Sequence, residues 1–220
     1  MATSAPKRLV PPFPPADFSY ITLDPVRPPQ RDYFRVQHKS YSGPLFFSRQ
    51  GIFRFDSPVG KWGVCYVAAD VETAFLEVYA DAIRKKALAY PDLDDRMVWK
   101  VSIPSDLNLL RLSGPTLSKI KATLQCFVSR YTLSQAWGRA FMEHPANLDG
   151  VIYQGRQSGS PCVALFGDEE PKKGKSYQSG LVSKCLGKLT EWDGFFPCID
   201  KTGARVTNLP SSPPSAFWRT

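Results

Sequence analysis

Apolar and polar positions alternate in short blocks, and the blocks predict strands interspersed with helices. Residues 64–69, VCYVAA, form a near-continuous apolar run, as expected of a central strand buried on both faces. Asp70 follows as a good helix N-cap, with Glu72 in the first turn where the helix dipole favours a carboxylate. Val71, Phe75, Val78, Tyr79, Ala82 and Ile83 then recur at helical spacing and predict one buried face. Arg84, Lys85 and Lys86 suit the C-terminal end of that helix. Glu77 falls off the apolar face, beside Ala74, Ala80 and Asp81.

Weaker patterns surround this unit. Residues 32–36, DYFRV, are aromatic and β-branched and predict a strand. Residues 38–44 read as a loop, and 52–55, IFRF, as a strand with Arg54 on one face. Residues 57–60, SPVG, turn the chain. Residues 97–103 alternate, with Met97, Trp99, Val101 and Ile103 facing one way, and 107–112 are a further short strand or edge. Gly114-Pro115 opens a helix to about Cys126 with proline at its first position, and Thr132 caps another to about Glu143. Residues 151–155 and 162–166 predict the two strands of a hairpin. Beyond Asp168 the pattern degrades into a basic, Gly/Ser-interrupted stretch and an isolated apolar patch at 192–199. Strands mixed with helices and closing on a hairpin imply a single α+β (mixed α/β) domain over residues 31–168. Residues 1–30 are a proline-rich extension that wraps the surface or stays mobile, and 169–220 a C-terminal extension partly packed on the domain.

Composition narrows the class. At 220 residues and 43% hydrophobic, the chain can bury one substantial core. No apolar run reaches the ~18 residues that span a bilayer, and the N-terminus lacks the apolar stretch of a secretory signal, so a cytoplasmic protein without a membrane partner is expected. Five cysteines, widely spaced and without a CxxC pair, predict reduced structural thiols. His38 and His144 lack ligand spacing, so no metal is expected. The net charge of +8 raises the question of nucleic acid, but the charge is dispersed and no helix face carries a basic stripe. A basic pocket for a small anion accounts for it at least as well. Phosphate-loop, zinc-protease and nucleophile-elbow motifs are absent from the sequence.

The segments YFRV, GIFRF, VCYVAADVETAFLEV and LDGVIYQGR…VALF together resemble the RES domain, whose best-known members are toxins of Xre–RES toxin–antitoxin pairs. The resemblance implies a fold like that of ADP-ribosyltransferases, with a split sheet and flanking helices, and NAD⁺ as a consumed substrate. It places Arg35 and Arg54 at the family's two arginines, Tyr66 at the tyrosine of the central strand and Glu77 at the motif glutamate, eleven residues further on. Arg49 is an alternative to Arg54. Gly155 stands where the family's serine is expected, within Tyr153-Gln154-Gly155-Arg156, and Ser158 or Ser160 could supply a hydroxyl there. Glu77, Arg35 and Tyr66 are thus the catalytic candidates. Arg35, Arg54, Tyr66, Glu77, Gly155 and Arg156 are the NAD⁺-binding candidates.

The chemistry is coherent. Forked arginine donors suit a pyrophosphate, an aromatic face suits the cationic nicotinamide, and a carboxylate beside the ribose suits oxocarbenium-like charge. The expected activity is cleavage of the nicotinamide–ribose bond, by hydrolysis or phosphorolysis. The alternatives are ADP-ribosyl transfer to a protein, and an NAD-binding module without turnover because of Gly155. The resemblance also implies an Xre-type antitoxin as partner, with homo-oligomerisation open.

Overall fold

A computed structural model describes residues 11–168 and 180–210. Lys172, Lys173 and Lys175, the prolines beyond Pro210 and residues 1–10 lie outside these. The elements, in chain order, are β1 (Asp32–His38), β2 (Trp62–Ala68), α1 (Val71–Arg84), β3 (Ala87–Ala89), α2 (Tyr90–Asp94), β4 (Arg96–Ser102), β5 (Leu109–Arg111), α3 (Gly114–Lys119), α4 (Gln125–Val128), α5 (Tyr131–Met142), β6 (Gly150–Gln154), β7 (Pro161–Asp168), β8 (Val182–Lys188), α6 (Phe195–Thr202) and β9 (Arg205–Thr207). Seven strands form one mixed sheet in the order β5-β6-β7-β2-β1-β4-β8, and β3 pairs with β9 separately. The fold is α+β with flanking helices, as the alternation of patterns predicts.

Both faces of the sheet are covered, which explains the uninterrupted apolar run in β2. Val64 and Ala68 join a large core with Phe75 and Tyr79 of α1 and Trp137 and Phe141 of α5. Cys65 and Val67 face a smaller core with Tyr33, Val101 and Leu165, capped by Val26, Leu45 and Phe47. The alternation of side chains along the strand sends successive residues of β2 to opposite cores.

The joint between β1 and β2 positions the site. β2 pairs with β7 along seven residues, and β1 with β4 along seven. β1 and β2 themselves meet only at Phe34 and Ala68, so the sheet splits along the rest of their length.

Local expectations fare unevenly. Asp70 caps α1, accepting from the Thr73 amide at 2.6 Å. Val78, expected on the buried face, is exposed, and Ala74 and Leu76 are buried instead. Residues 52–55 are not a strand but a loop, because side chains satisfy its backbone: Gln135 Nε2 donates to the Gly51 and Phe53 carbonyls, and the Phe53 amide donates to Asp56. The helix expected from Gly114 to Cys126 is two short helices, broken where Lys121 adopts a positive φ of 55°. The patch at 192–199 is not isolated. It seeds α6, whose Phe195, Cys198 and Ile199 enter the large core beside Phe75. Residues 11–30 run over the surface and are anchored by buried Phe18 and Leu23, with Phe18 against Trp137 and His144, and the Pro12 carbonyl accepting from Trp137 Nε1.

Candidate functional site

The split between β1 and β2 opens as a cleft of about 560 Å³. Its walls are β1 from Phe34 to His38, the loop from Tyr41 to Arg54, Tyr66 of β2, Ala74 to Asp81 of α1, and Tyr153, Arg156 and Cys162 of the hairpin. A larger hollow of about 1050 Å³ lies on the other flank of α1 beneath Trp192 and Lys201. Its cationic side chains are engaged: Lys201 pairs with Glu72, Arg84 with Asp81, and Lys86 Nζ donates to the Thr202 carbonyl. The smaller cleft is lined by Arg35, Arg54, Tyr66, Glu77 and Arg156.

Glu77 sits half-buried on α1, and its Oε1 accepts the Arg156 backbone N–H at 2.8 Å. Gly155 is part of the same arrangement. Its amide donates to the Ser160 carbonyl and its carbonyl accepts from Gly159, which folds the hairpin tip over Glu77. A Cβ at Gly155 would lie 2.8 Å from Ser158 Oγ and 3.3 Å from Glu77 Oε1. Ser158 therefore presents its hydroxyl to the space a side chain at 155 would fill. Ser160 contributes backbone contacts, its amide donating to Ser158 Oγ at 3.1 Å.

Arg54 comes from the loop. It is 8% exposed, its guanidinium lies 5.4 Å from the Tyr153 ring centroid, and its Nη1 has no hydrogen-bond partner among the described residues. Burial of a cation without an acceptor is unfavourable unless a ligand supplies one. The loop reaches this position because Phe55 is buried against Tyr153 and Phe127. It also approaches α5 at Gly138, where a Cβ would come within 2.8 Å of the Phe55 carbonyl. Arg49 does not line the cleft.

Tyr66 is anchored at its hydroxyl, which donates to Asp56 Oδ1 and accepts the Phe55 N–H, both at 2.9 Å. Burial pushes the Tyr66 hydroxyl well above its usual range and raises the Asp56 carboxyl too. Tyr66 is thus a neutral wall, with Phe53 packed on it edge-to-face at 5.9 Å. Arg35 lies on the wall formed by β1, and its Nη1 donates to the Pro44 and Phe46 carbonyls and to Cys65 Sγ of β2. It braces the split. Cys162 borders Glu77, but burial and then the Glu77 charge push its thiol up to about 12, so it stays protonated at neutral pH.

Arg35, Arg54, Tyr66, Glu77 and Arg156 therefore line one cleft, with Gly155 beside Glu77 at its edge. Gln37 and Tyr153 also line it, Asp56 anchors Tyr66 from behind, and Ser158 lies beside Gly155 but borders the larger hollow; of these only the Ser158 hydroxyl was named from the sequence. Asp56, next to Phe55 in FRFD, gives no signal beyond its position. Among the described residues, no group of His, Cys, Asp and Glu could hold a metal ion. No helix there is long and apolar enough to cross a membrane.

The match to known families falls on these elements. A family model of the RES domain matches residues 24–180, which carry every one of these site residues. The chain belongs to the RES domain family. Among solved structures, this RES chain is similar to the Mycobacterium tuberculosis MbcT–MbcA toxin–antitoxin complex, with 17% identity and a TM-score of 0.56. The match covers 74% of this chain and 86% of the other. At that identity the likeness shows the fold. No curated protein matches the chain.

Proposed function

We propose that this RES protein is an NAD⁺-consuming toxin that breaks the nicotinamide–ribose bond and passes the ADP-ribosyl group to water or phosphate. One observation carries the reading: the buried guanidinium of Arg54, whose Nη1 has no hydrogen-bond partner among the described residues, shares a cleft with the Glu77 carboxylate. A ligand that is anionic at one point and develops positive charge at another fits that pair, and a dinucleotide with a pyrophosphate and a nicotinamide riboside is such a ligand.

Each side chain has a role that follows from its placement. Arg54 donates to the pyrophosphate. Phe53 and Tyr66 offer aromatic surface to the nicotinamide. As the C1′–N bond breaks, its electron pair leaves with the pyridine ring, which becomes neutral, and the ribose takes on oxocarbenium character. Glu77 Oε1 is held by the Arg156 amide, so Oε2 is left to face the ribose and stabilise that charge. Water then adds at C1′ and loses a proton, or phosphate adds directly. The leaving group departs neutral, so no general acid is required.

The surface supports a partner at the cleft rim. Tyr41, Ile52, Phe53, Val78 and Tyr131 line the cleft and are exposed. An antitoxin of the Xre type that covers this apolar rim would block substrate entry, in line with the solved neighbour being a toxin held by an antitoxin. The free cysteines suit a cytoplasmic setting.

The test is release of nicotinamide from NAD⁺ by purified protein, with and without phosphate, against Glu77→Gln. Release that depends on Glu77 is expected. Equal signals from both proteins would reject the reading, and labelled ADP-ribose on protein would redirect it to protein ADP-ribosylation.

A further inference from the structure

The cleft has two chemically different ends, and only one is used above. Phe34 is paired with Ala68, Ala68 with Cys162, and Cys162 with Tyr153, which fixes Phe34 at the Glu77 and hairpin end. Gln37 and His38 lie three and four residues further along β1, roughly 10–13 Å away at ~3.3 Å per strand residue. There β1 is paired with the start of β4, Gln37 opposite Met97 and His38 opposite Arg96.

The polar groups at this far end differ in one respect. His38 is engaged by Ser40 and Asp95, and Asp81 by Arg84. Gln37 is 6% exposed, lines the cleft, and its amide Nε2 has no hydrogen-bond partner among the described residues. Arg96, opposite His38, points to the α1 face instead, where it lies over the Tyr79 ring and donates to Asp92 through Nη2. A buried donor without an acceptor is destabilising by about 1–3 kcal/mol, so the Gln37 amide points to a ligand that brings an acceptor. Beside them, Tyr41 and Phe46 stack on each other with centroids 6.0 Å apart and 27° between planes, and both are half exposed. Such a platform stacks a planar ring, and an in-plane acceptor on that ring would meet the Gln37 amide.

We infer that this end is a purine subsite, with Tyr41 and Phe46 as its stacking platform and Gln37 as its hydrogen-bonding residue. A purine carries ring-nitrogen acceptors in its plane, and a separation of roughly 10–13 Å from the Glu77 end suits a dinucleotide lying across the cleft. The inference rests on the NAD⁺ reading and deepens it: the substrate is recognised at its adenosine half, and a nicotinamide mononucleotide lacks half of its contacts.

The experiment measures AMP and nicotinamide mononucleotide binding by calorimetry for wild type, Gln37→Leu and Tyr41→Ala, alongside nicotinamide release from NAD⁺. Gln37→Leu keeps the buried volume, and Tyr41→Ala removes an exposed ring, so at least one variant folds. Both should weaken AMP about tenfold and raise KM for NAD⁺ by a similar factor, with kcat and mononucleotide binding unchanged. AMP binding that is absent from wild type, or equal in all three proteins, overturns the subsite. If AMP behaves as expected while no nicotinamide is released, the subsite stands and the bond-cleaving activity proposed above falls.

Discussion

Glu77 Oε1 accepts the backbone N–H of Arg156 at 2.8 Å, so the motif carboxylate on α1 is oriented by the hairpin tip and not by another side chain. A main-chain donor fixes one carboxylate oxygen without neutralising it, which leaves the full negative charge for a ligand. Glu77→Gln keeps an oxygen for that N–H and removes the charge. The melting temperature should stay within a few degrees of wild type, while nicotinamide release falls by about 10²–10³, the range for removing one stabiliser of transition-state charge. Loss of activity together with loss of fold would show that Glu77 is structural.

Arg54 is expected to behave in the opposite way to an ordinary buried charge. Its Nη1 lacks an acceptor and its ring contact is with Tyr153. Arg54→Met keeps most of the packing and removes a buried cation whose Nη1 lacks an acceptor, so stability measured by urea denaturation should be unchanged or slightly higher. NAD⁺ binding should weaken by about 10–150-fold, the equivalent of ~1.5–3 kcal/mol for a hydrogen bond to a charged group. A variant that binds NAD⁺ as wild type does would remove Arg54 from the site.

How far the sequence carried the structure follows from the range of the interactions. The unit from Val64 to Arg84 was legible because each signal is local: an apolar run, the Asp70 cap and helical spacing. The hairpin was legible for the same reason. The stretch IFRF misled because its aromatic content mimics a strand, whereas Gln135, more than eighty residues away, holds its carbonyls. α6 was missed because its buried face is matched to Phe75, more than a hundred residues earlier. Within the site, Arg54, Tyr66 and Glu77 were nameable from motif spacing. Gln37 was not, since an amide on a strand ordinarily meets solvent. Its burial depends on the split between β1 and β2, which no local pattern encodes.

Asp56 gives a pH test. It is fully buried, accepts from Tyr66 and Phe53, and burial raises its carboxyl above the ordinary value of 3.8. A raised carboxyl binds its proton more tightly in the folded than in the unfolded chain. Its stabilising contribution is therefore full below about 3.8 and is lost as pH rises through the folded value. Asp56→Asn is neutral at every pH. Relative to wild type, the variant should gain stability between pH 4 and pH 7, read as a denaturation midpoint that moves toward or above that of wild type. A constant difference across this range would mean that Asp56 does not titrate as a buried group.

The hairpin tip offers a test of the missing serine. A Cβ at Gly155 would meet Ser158 Oγ at 2.8 Å, closer than atoms normally pack, but Ser158 ends in a rotatable hydroxyl that can turn aside. If that hydroxyl serves the cleft, Ser158→Ala should lower NAD⁺ turnover by about tenfold or more, within the range for one positioned hydrogen-bonding group. Gly155→Ser alone should fold, displace the Ser158 hydroxyl and keep turnover near wild type. The combined Gly155→Ser, Ser158→Ala protein should recover what Ser158→Ala loses, because the new hydroxyl arises beside Glu77 Oε1, 3.3 Å from the added Cβ. Turnover indifferent to Ser158→Ala would show that Glu77 and the Arg156 amide act without a hydroxyl, and Gly155 would then be backbone lining alone.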